Sequence, residues 1–395
     1  MTINGITGRT PRLRPSEKAL LHLLRINGAL SKAELARLSN MSAQGVSIIV
    51  ERLLDLNLLR KEPKQRGRVG QPSTPITLNP DGAVSVGMFI AKSSAQLVVS
   101  DFHGEIRAER RIRYTDVQDS ATTQSLFEAA ETLPEAIGAP LWDRHVGVGI
   151  ATSETLLKTF GHAGPDSDLA GVDAKPSLAQ RLEERFNVPI YCINDIRAAC
   201  IAELSIGSHD ASNSTLYLHL GETLGAGIIL EGRLIGPETQ LSSSLHHLPF
   251  PGGANDHVGD VASIRALQER IGRNRGYLDE QIQNDFADTQ ESFGLWRSEA
   301  VRALSIAIRA ASATLIVDRV LIASPLRKST LAGIVSELRY THEAATDSRV
   351  PLPEISMETV TPHPRARGAA MTPFLKIFGA PDTRMQPGGQ QRHVA

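Results

Sequence analysis

Residues 42 to 54, SAQGVSIIVERLL, place two kinds of side chain on opposite sides of a 3.6-residue repeat. Val46, Ile49, Val50, Leu53 and Leu54 make an apolar stripe that packs inward. Ala43, Gln44, Ser47, Ile48, Glu51 and Arg52 hold the remaining face. Small and amide side chains at the front of a helix are what a major groove can admit, and an amide pairs with base edges there. Gln44, Ser47 and Arg52 are therefore candidates for base readout, with Ser42 before them as the cap of the helix. Lys32, Arg37 and Lys64 are candidates for phosphate contact, whose contribution to affinity falls with salt. Arg66, Arg68 and Gln71 extend this set along a basic, Gly/Pro-rich stretch suited to the minor groove or to phosphates.

These residues need a scaffold, and the flanking sequence supplies one. Ser31 and Glu34 form a capping box at the start of a helix whose apolar face is Leu35, Ala36 and Leu38. Asn40-Met41 is the turn into the reading helix. An earlier helix opens at Pro15-Ser16, buries Ala19, Leu20, Leu23 and Leu24, and closes at Asn27-Gly28. Residues 58–62 and 74–78 read as a β-hairpin whose basic tip runs from Lys64 to Gln71. The helix pair alone is also an ordinary amphipathic pair, and the tip alone a solvated basic loop. In succession they read as a winged helix, and DNA binding follows.

The 395 residues exceed one ordinary domain, so two or three are expected. A net charge of −1 hides an asymmetry: residues 1–72 carry 13 basic against 5 acidic side chains, and the remainder 29 against 38. A basic module on an acidic body is the electrostatic footprint of a DNA reader with a separate partner domain. No run reaches the length of a membrane span and no secretory signal opens the chain, so no membrane partner and a cytoplasmic location are expected. Cys192 and Cys200 are expected as buried thiols rather than a bridge or a metal site.

Residues 1–14 read as a mobile basic arm and 15–79 as the winged helix, with Asn79-Pro80-Asp81-Gly82 as the boundary turn. From residue 84 the texture alternates. Strands are predicted over 83–91, 95–102 and 105–114, a helix over 119–137, a strand over 145–152, a helix over 176–186, a strand over 187–194 and a helix over 195–204. A second series follows: three strands between 214 and 235, helices over most of 257–317, a strand over 317–324 and a helix over 326–341. Two such β-β-β-α-β-α-β units imply two α/β lobes, assigned to 80–200 and to 201–379 with its closing helices. Val301, Leu304, Ile308 and Ala311 form a late helical stripe that fits the core. Residues 380–395, rich in Pro, Gly and Gln, read as a disordered tail.

GRVGQPSTP with its NPDGA turn, NVPIYCINDIRAACIAELSIG, LGETLGAGIILEGRLIG and HHLP together resemble the ROK family (repressors, open reading frames, kinases), on its repressor side. The likeness covers residues 15 to about 375 and implies two actin-like, ribonuclease H-like lobes behind the winged helix. In the family's kinases sugar and ATP meet between the lobes. Here the first phosphate loop, D-x-G-G-T in the kinases, reads Phe89-Ile90-Ala91-Lys92-Ser93, without the acid and both glycines. The second, G-T-G-x-G-A-G, reads Gly221-Glu222-Thr223-Leu224-Gly225-Ala226-Gly227, and Glu222 would repel phosphates. A later Gly-Gly is Ala323-Ser324. Three damaged elements argue against ATP binding and against an enzyme. The family's zinc pattern, His then C-x-C-G-x-x-G-C, has no cysteine after His247, so neither metal nor cofactor is expected.

The resemblance carries the sugar side over more fully. Asn194-Asp195 occupies the family's N-D position, where the carboxylate accepts a sugar hydroxyl, and His247 the position of the sugar-contacting His. Asp168 stands where the kinases carry an Asn, and Ser244 where they carry a Glu. By the residues alone, Asn194-Asp195 is a helix cap, and the two roles are compatible. The expected function is a DNA-binding transcriptional regulator, a repressor of carbohydrate genes. It would grip a palindromic operator as a homodimer or tetramer and release it on binding a sugar effector. The rival readings are a repressor controlled by a protein partner, and an active sugar kinase fused to a DNA-binding domain.

Overall fold

The computed structural model describes residues 11–63, 74–153, 156–157, 177–207, 213–236, 244–252, 257–271, 290–344, 353–360 and 362–379. They fall into two compact units, residues 1–206 with 362–395, and residues 207–361.

Unit 1 begins with three helices, α1 (Pro15–Asn27), α2 (Lys32–Ser39) and α3 (Ala43–Asp55), and a two-stranded hairpin of β1 (Leu59–Lys61) and β2 (Ile76–Leu78). Each boundary has a local cause. Gly28 ends α1 at φ 72, and Ser31 and Glu34 close the expected capping box on α2. Asn40 turns the chain in the left-handed region at φ 54, and Ser42 caps α3 by accepting from Gly45 N. Leu20, Leu24, Leu35, Val46, Val50 and Leu53 are buried together as the small core of this winged helix. Leu30 pairs with Ile76 through two backbone hydrogen bonds of 2.9 and 2.8 Å, tying the helices to the hairpin.

The body of unit 1 is a sheet of order β5-β4-β3-β6-β7, formed by β3 (Val84–Ile90), β4 (Ser94–Asp101), β5 (Ile106–Arg113), β6 (His145–Thr152) and β7 (Ile190–Asn194). β3, β4 and β5 form an antiparallel meander, and β6 and β7 run parallel to β3. Between β5 and β6 the single helix expected over 119–137 is broken into α4 (Ser120–Glu131) and α5 (Leu133–Ile137), and a further turn, α6 (Ala139–Trp142), follows it. Pro134 and Pro140 lack the N–H a continuous helix would use, and each sits in the first turn of a new one. α7 (Leu178–Phe186) and α8 (Asp195–Ile206) flank β7.

Unit 2 repeats the plan. Its sheet, of order β10-β9-β8-β11-β12, contains β8 (Thr215–Leu220), β9 (Leu224–Leu230), β10 (Arg233–Leu234), β11 (Arg319–Ala323) and β12 (Glu354–Met357). Counted within each unit, both sheets run 3-2-1-4-5, so the duplication read from the strand series is present in the fold. α9 (Val258–Val261), α10 (Ile264–Ile271), α11 (Gln290–Thr314) and α12 (Lys328–Ala344) complete it. Val301, Leu304, Ile308 and Ala311 are buried in its core, as their spacing predicts. Trp296 is buried there too and donates its indole N–H to the Ser263 carbonyl at 3.1 Å.

The last helix, α13 (Pro364–Phe378), corrects the expected boundary of 201–379 for the second lobe: it belongs to unit 1. The reason is steric. A methyl group at Gly87 or Gly149, on β3 and β6, would fall on the carbonyl oxygen of Ala366 or Ala369, and one at Gly368 on the Ala198 carbonyl of α8. Three glycines thus admit α13 at backbone contact between the sheet and α8. Pro373 has no N–H to offer the Ala369 carbonyl, the same oxygen that Gly149 accommodates.

Two stability predictions follow from unit 1. Gly87→Ala puts a methyl group against immovable backbone and should cost about 3 kcal/mol, measured as an early thermal transition, whereas Asn40→Gly at the left-handed cap of α2 should be nearly silent. His145 is buried, stacked on Trp142 at 4.3 Å, with Nε2 on the Gly147 carbonyl at 2.9 Å. Burial lowers its pKa to about 4. The unfolded chain takes up that proton near pH 6.5 and the fold does not, so stability is full above pH 6.5 and falls as pH drops towards 4. His145→Phe should remove about 3 kcal/mol of that acid loss in pH-dependent denaturant melts.

Candidate functional site

The outward face of α3 is ordered by charge pairs rather than left as free side chains. Lys32 Nζ donates to Ser47 Oγ at 3.0 Å and to Glu51 Oε1 at 2.8 Å, and Lys61 stands 3.8 Å from the other Glu51 oxygen. Lys32 holds the Glu51 carboxyl below the usual carboxylate range. Ser42 Oγ is engaged by Gly45 N at 3.1 Å as the helix cap. Gln44 and Arg37 are exposed.

Arg52 differs from its expected role in base readout. Its guanidinium pairs with Glu17, whose side chain is 2% exposed and also accepts Arg14 N at 2.8 Å. A buried carboxylate needs that partner, so Arg52 serves the α1–α3 packing. Lys64, Arg66, Arg68 and Gln71, together with Asp168, lie outside the described residues.

The second candidate site lies at the carboxyl ends of the parallel strands of unit 1, the edge at which open α/β sheets take ligands. Thr152 and Asn194 stand side by side at the ends of β6 and β7, and Thr152 Oγ1 donates to the Ile90 carbonyl at the end of β3 at 2.6 Å. Asn194 Oδ1 accepts Ile196 N at 2.9 Å and Arg197 N at 3.2 Å, so it caps α8. Asp195 Oδ1 accepts Ile196 N at 3.0 Å, and Oδ2 lies 3.7 Å from Arg365 of α13. Burial pushes the Asp195 carboxyl up, and the Arg365 guanidinium opposes it. The same guanidinium stacks over the Phe89 ring at 3.9 Å, at the position where the kinase loop has an acid. Arg365 had no signal in the sequence, because it enters from a helix 170 positions beyond Asp195. Glu17, likewise, reads locally as a first-turn acid and nothing more.

His247 and Ser244 belong to unit 2, where Leu245–His247 form one turn of 3-10 helix and Ser244, exposed, precedes it. His246 and His247 lie ring to ring at 4.0 Å, and burial is the main cause of a lowered His246 pKa. His257 turns its Nδ1 to Asp260 at 3.1 Å, with its ring 6.0 Å from that of His247. Among the described residues, no group of three His, Cys, Asp or Glu can hold one metal ion. Both cysteines are in unit 1, so thiolates are missing here and the donors do not fit the family's tetrahedral zinc. No helix among the described residues is long and apolar enough to cross a membrane.

At the far end of α13, Phe374 and Phe378 pack edge-on against Phe102 at 5.3 and 5.0 Å. Arg25, in the last turn of α1, lies over the Phe102 ring at 4.9 Å and donates to the Phe102 carbonyl at 2.9 Å. Burial lowers its pKa to about 10. One helix therefore touches both the Asp195 edge and α1 of the winged helix.

The ROK family model matches residues 86–327, and a MarR family model matches residues 13–68. The chain is 22% identical over 265 residues to the DNA-binding transcriptional dual regulator NagC of Escherichia coli, covering 64% of this chain and 63% of that one. It spans less than two thirds of the length of the curated relatives it matches, 57% of another. Among solved structures, the ROK family transcriptional regulator homologous to E. coli MLC aligns over 93% of this chain and 97% of its own, with TM-score 0.63 and 18% identity. The ROK hexokinase of Thermus thermophilus aligns over 74% of this chain and 99% of its own, with TM-score 0.57 and 19% identity. The body fold is thus common to regulators and kinases.

One prediction separates packing from reading. Arg52→Ala leaves Glu17 buried without its partner and should cost about 2 kcal/mol in thermal or denaturant unfolding. The order of preference among DNA sequences should not change, as measured by competition binding.

Proposed function

The chain belongs to the ROK family, and on that premise we propose that it is a sugar-responsive transcriptional repressor. The observation that carries the reading is the winged helix at the head of a ROK body, with the front of α3 presented outward. Gln44 reads bases, Ser47 and Lys32 orient that face, and Arg37 with the basic wing holds phosphates. Two symmetry-related copies on a palindromic operator account for the half-site logic of such a motif.

The effector in this reading is a sugar bound at the edge formed by Thr152, Asn194 and Asp195. Relatives that carry the names N-acetylglucosamine repressor and xylose repressor support the class. The Asp195 carboxylate accepts sugar hydroxyls, and Arg365 fixes its orientation. Phosphoryl transfer is no part of this reading, since Phe89, Ala91 and Ser93 stand where the kinases hold nucleotide phosphates. α13 supplies a physical route from Asp195 to Arg25. A sugar that binds one arrangement of that contact better than another shifts the operator-binding population.

Thermal unfolding against monosaccharides, amino sugars, sugar phosphates and ATP tests the proposal. A ligand bound only by the folded state at a hundredfold excess over its Kd adds about 2.7 kcal/mol. The expected result is a raised midpoint with one sugar class, lost in Asp195→Ala, and none with ATP. A shift with ATP would overturn the repressor reading in favour of a kinase, and silence with every sugar would overturn the sugar effector.

A further inference from the structure

Ile48 stands out on the reading helix: it is a large aliphatic residue, 64% exposed, on the face turned away from the buried stripe of Val46, Val50 and Leu53. At 100° per residue Gln44 and Ile48 lie 40° apart and one turn from each other, so they form one continuous patch. Their neighbours on that face are already committed. Ser47 and Glu51 are held by Lys32, and Arg52 by Glu17. Beyond the small Ala43, Gln44 and Ile48 are the exposed side chains at the front half of the helix, the half that such motifs insert between base edges.

We propose that Ile48 is a specificity-determining residue that packs on the 5-methyl group of a thymine in the major groove, beside an adenine read by Gln44. This rests on the DNA-binding reading above and goes beyond it by naming the base pair. The physical case has three parts. An exposed Ile gains nothing from packing, and its β-branch makes it a poorer surface helix former than Lys, Glu or Gln. That same branch locks χ1, so little side-chain entropy is lost when the group is covered. In the major groove only thymine offers an apolar methyl among the donors and acceptors of the four base pairs, and an amide is the bidentate partner of adenine. An aliphatic and an amide side chain together therefore select A·T pairs, whereas the charged residues around them are engaged with one another or with Glu17.

The test uses the full chain. A duplex is first selected from randomised DNA, and each thymine of the selected half-site is then replaced in turn by uracil, which keeps the pairing and removes only the methyl group. For the wild type, one replacement should weaken binding about fourfold per half-site, the factor for uncovering one methyl-sized apolar group. In Ile48→Ala, whose thermal midpoint should match the wild type because the site is exposed, that penalty should vanish. A wild type indifferent to every uracil, or a penalty that persists in Ile48→Ala, would overturn the inference while leaving DNA binding in place. Failure to enrich any duplex would overturn the DNA-binding reading and this inference with it.

Discussion

The approach of α13 to the sheet and to α8 is the constraint on which unit 1 depends. Helices ordinarily keep their distance because side chains stand between the backbones. Here Gly87, Gly149 and Gly368 remove them, and the Ala366, Ala369 and Ala198 carbonyls take their place. Ser85 then donates to the Ala370 carbonyl, a buried hydrogen bond that fixes the register of the helix on β3. Dense packing of this kind has few intermediate positions, so a shift at one end is transmitted or resisted as a whole. Arg365 at one end and Phe374 with Phe378 at the other make α13, about 22 Å long, the common wall of two sites.

The same economy governs the three helices of the winged helix. A core as small as that of α1 to α3 and one hairpin is marginal by itself. It is reinforced by Glu17 with Arg52 inside, and by Arg25 against Phe102 and Phe374 below. Arg52 of α3 is thus drawn into structure, and under the proposed DNA-binding reading the chemistry left for base edges shifts towards the amide and aliphatic groups at the front. Glu51 on the same face is tolerable beside phosphates because Lys32 and Lys61 surround it.

Most of the architecture was legible in the sequence because it rests on local causes. Capping at Ser31 and Ser42, the glycine stop at Gly28, and every strand run of the two sheets except β12 fell within a few residues of their expected places. What escaped was non-local. The return of α13 to the first unit depends on glycines near residues 87 and 149 meeting a helix more than 200 positions later. β12 was missed because Glu354–Met357 is four residues long and pairs only with β11. Of the candidate residues, Asn194 caps α8 at the end of β7, as its capping chemistry leads one to expect. Arg365, the partner of Asp195, and the recruitment of Arg52 by Glu17 have no periodicity to betray them.

The most direct measurement is operator affinity of the full chain, by fluorescence anisotropy at fixed salt, with and without the sugar that raises its thermal midpoint. Coupling between two such sites is typically 1–3 kcal/mol. The account predicts about tenfold weaker operator binding in the presence of sugar, and no change in Asp195→Ala. Equal affinity with and without a sugar that demonstrably binds would contradict it, since the two ends of α13 would then be energetically independent.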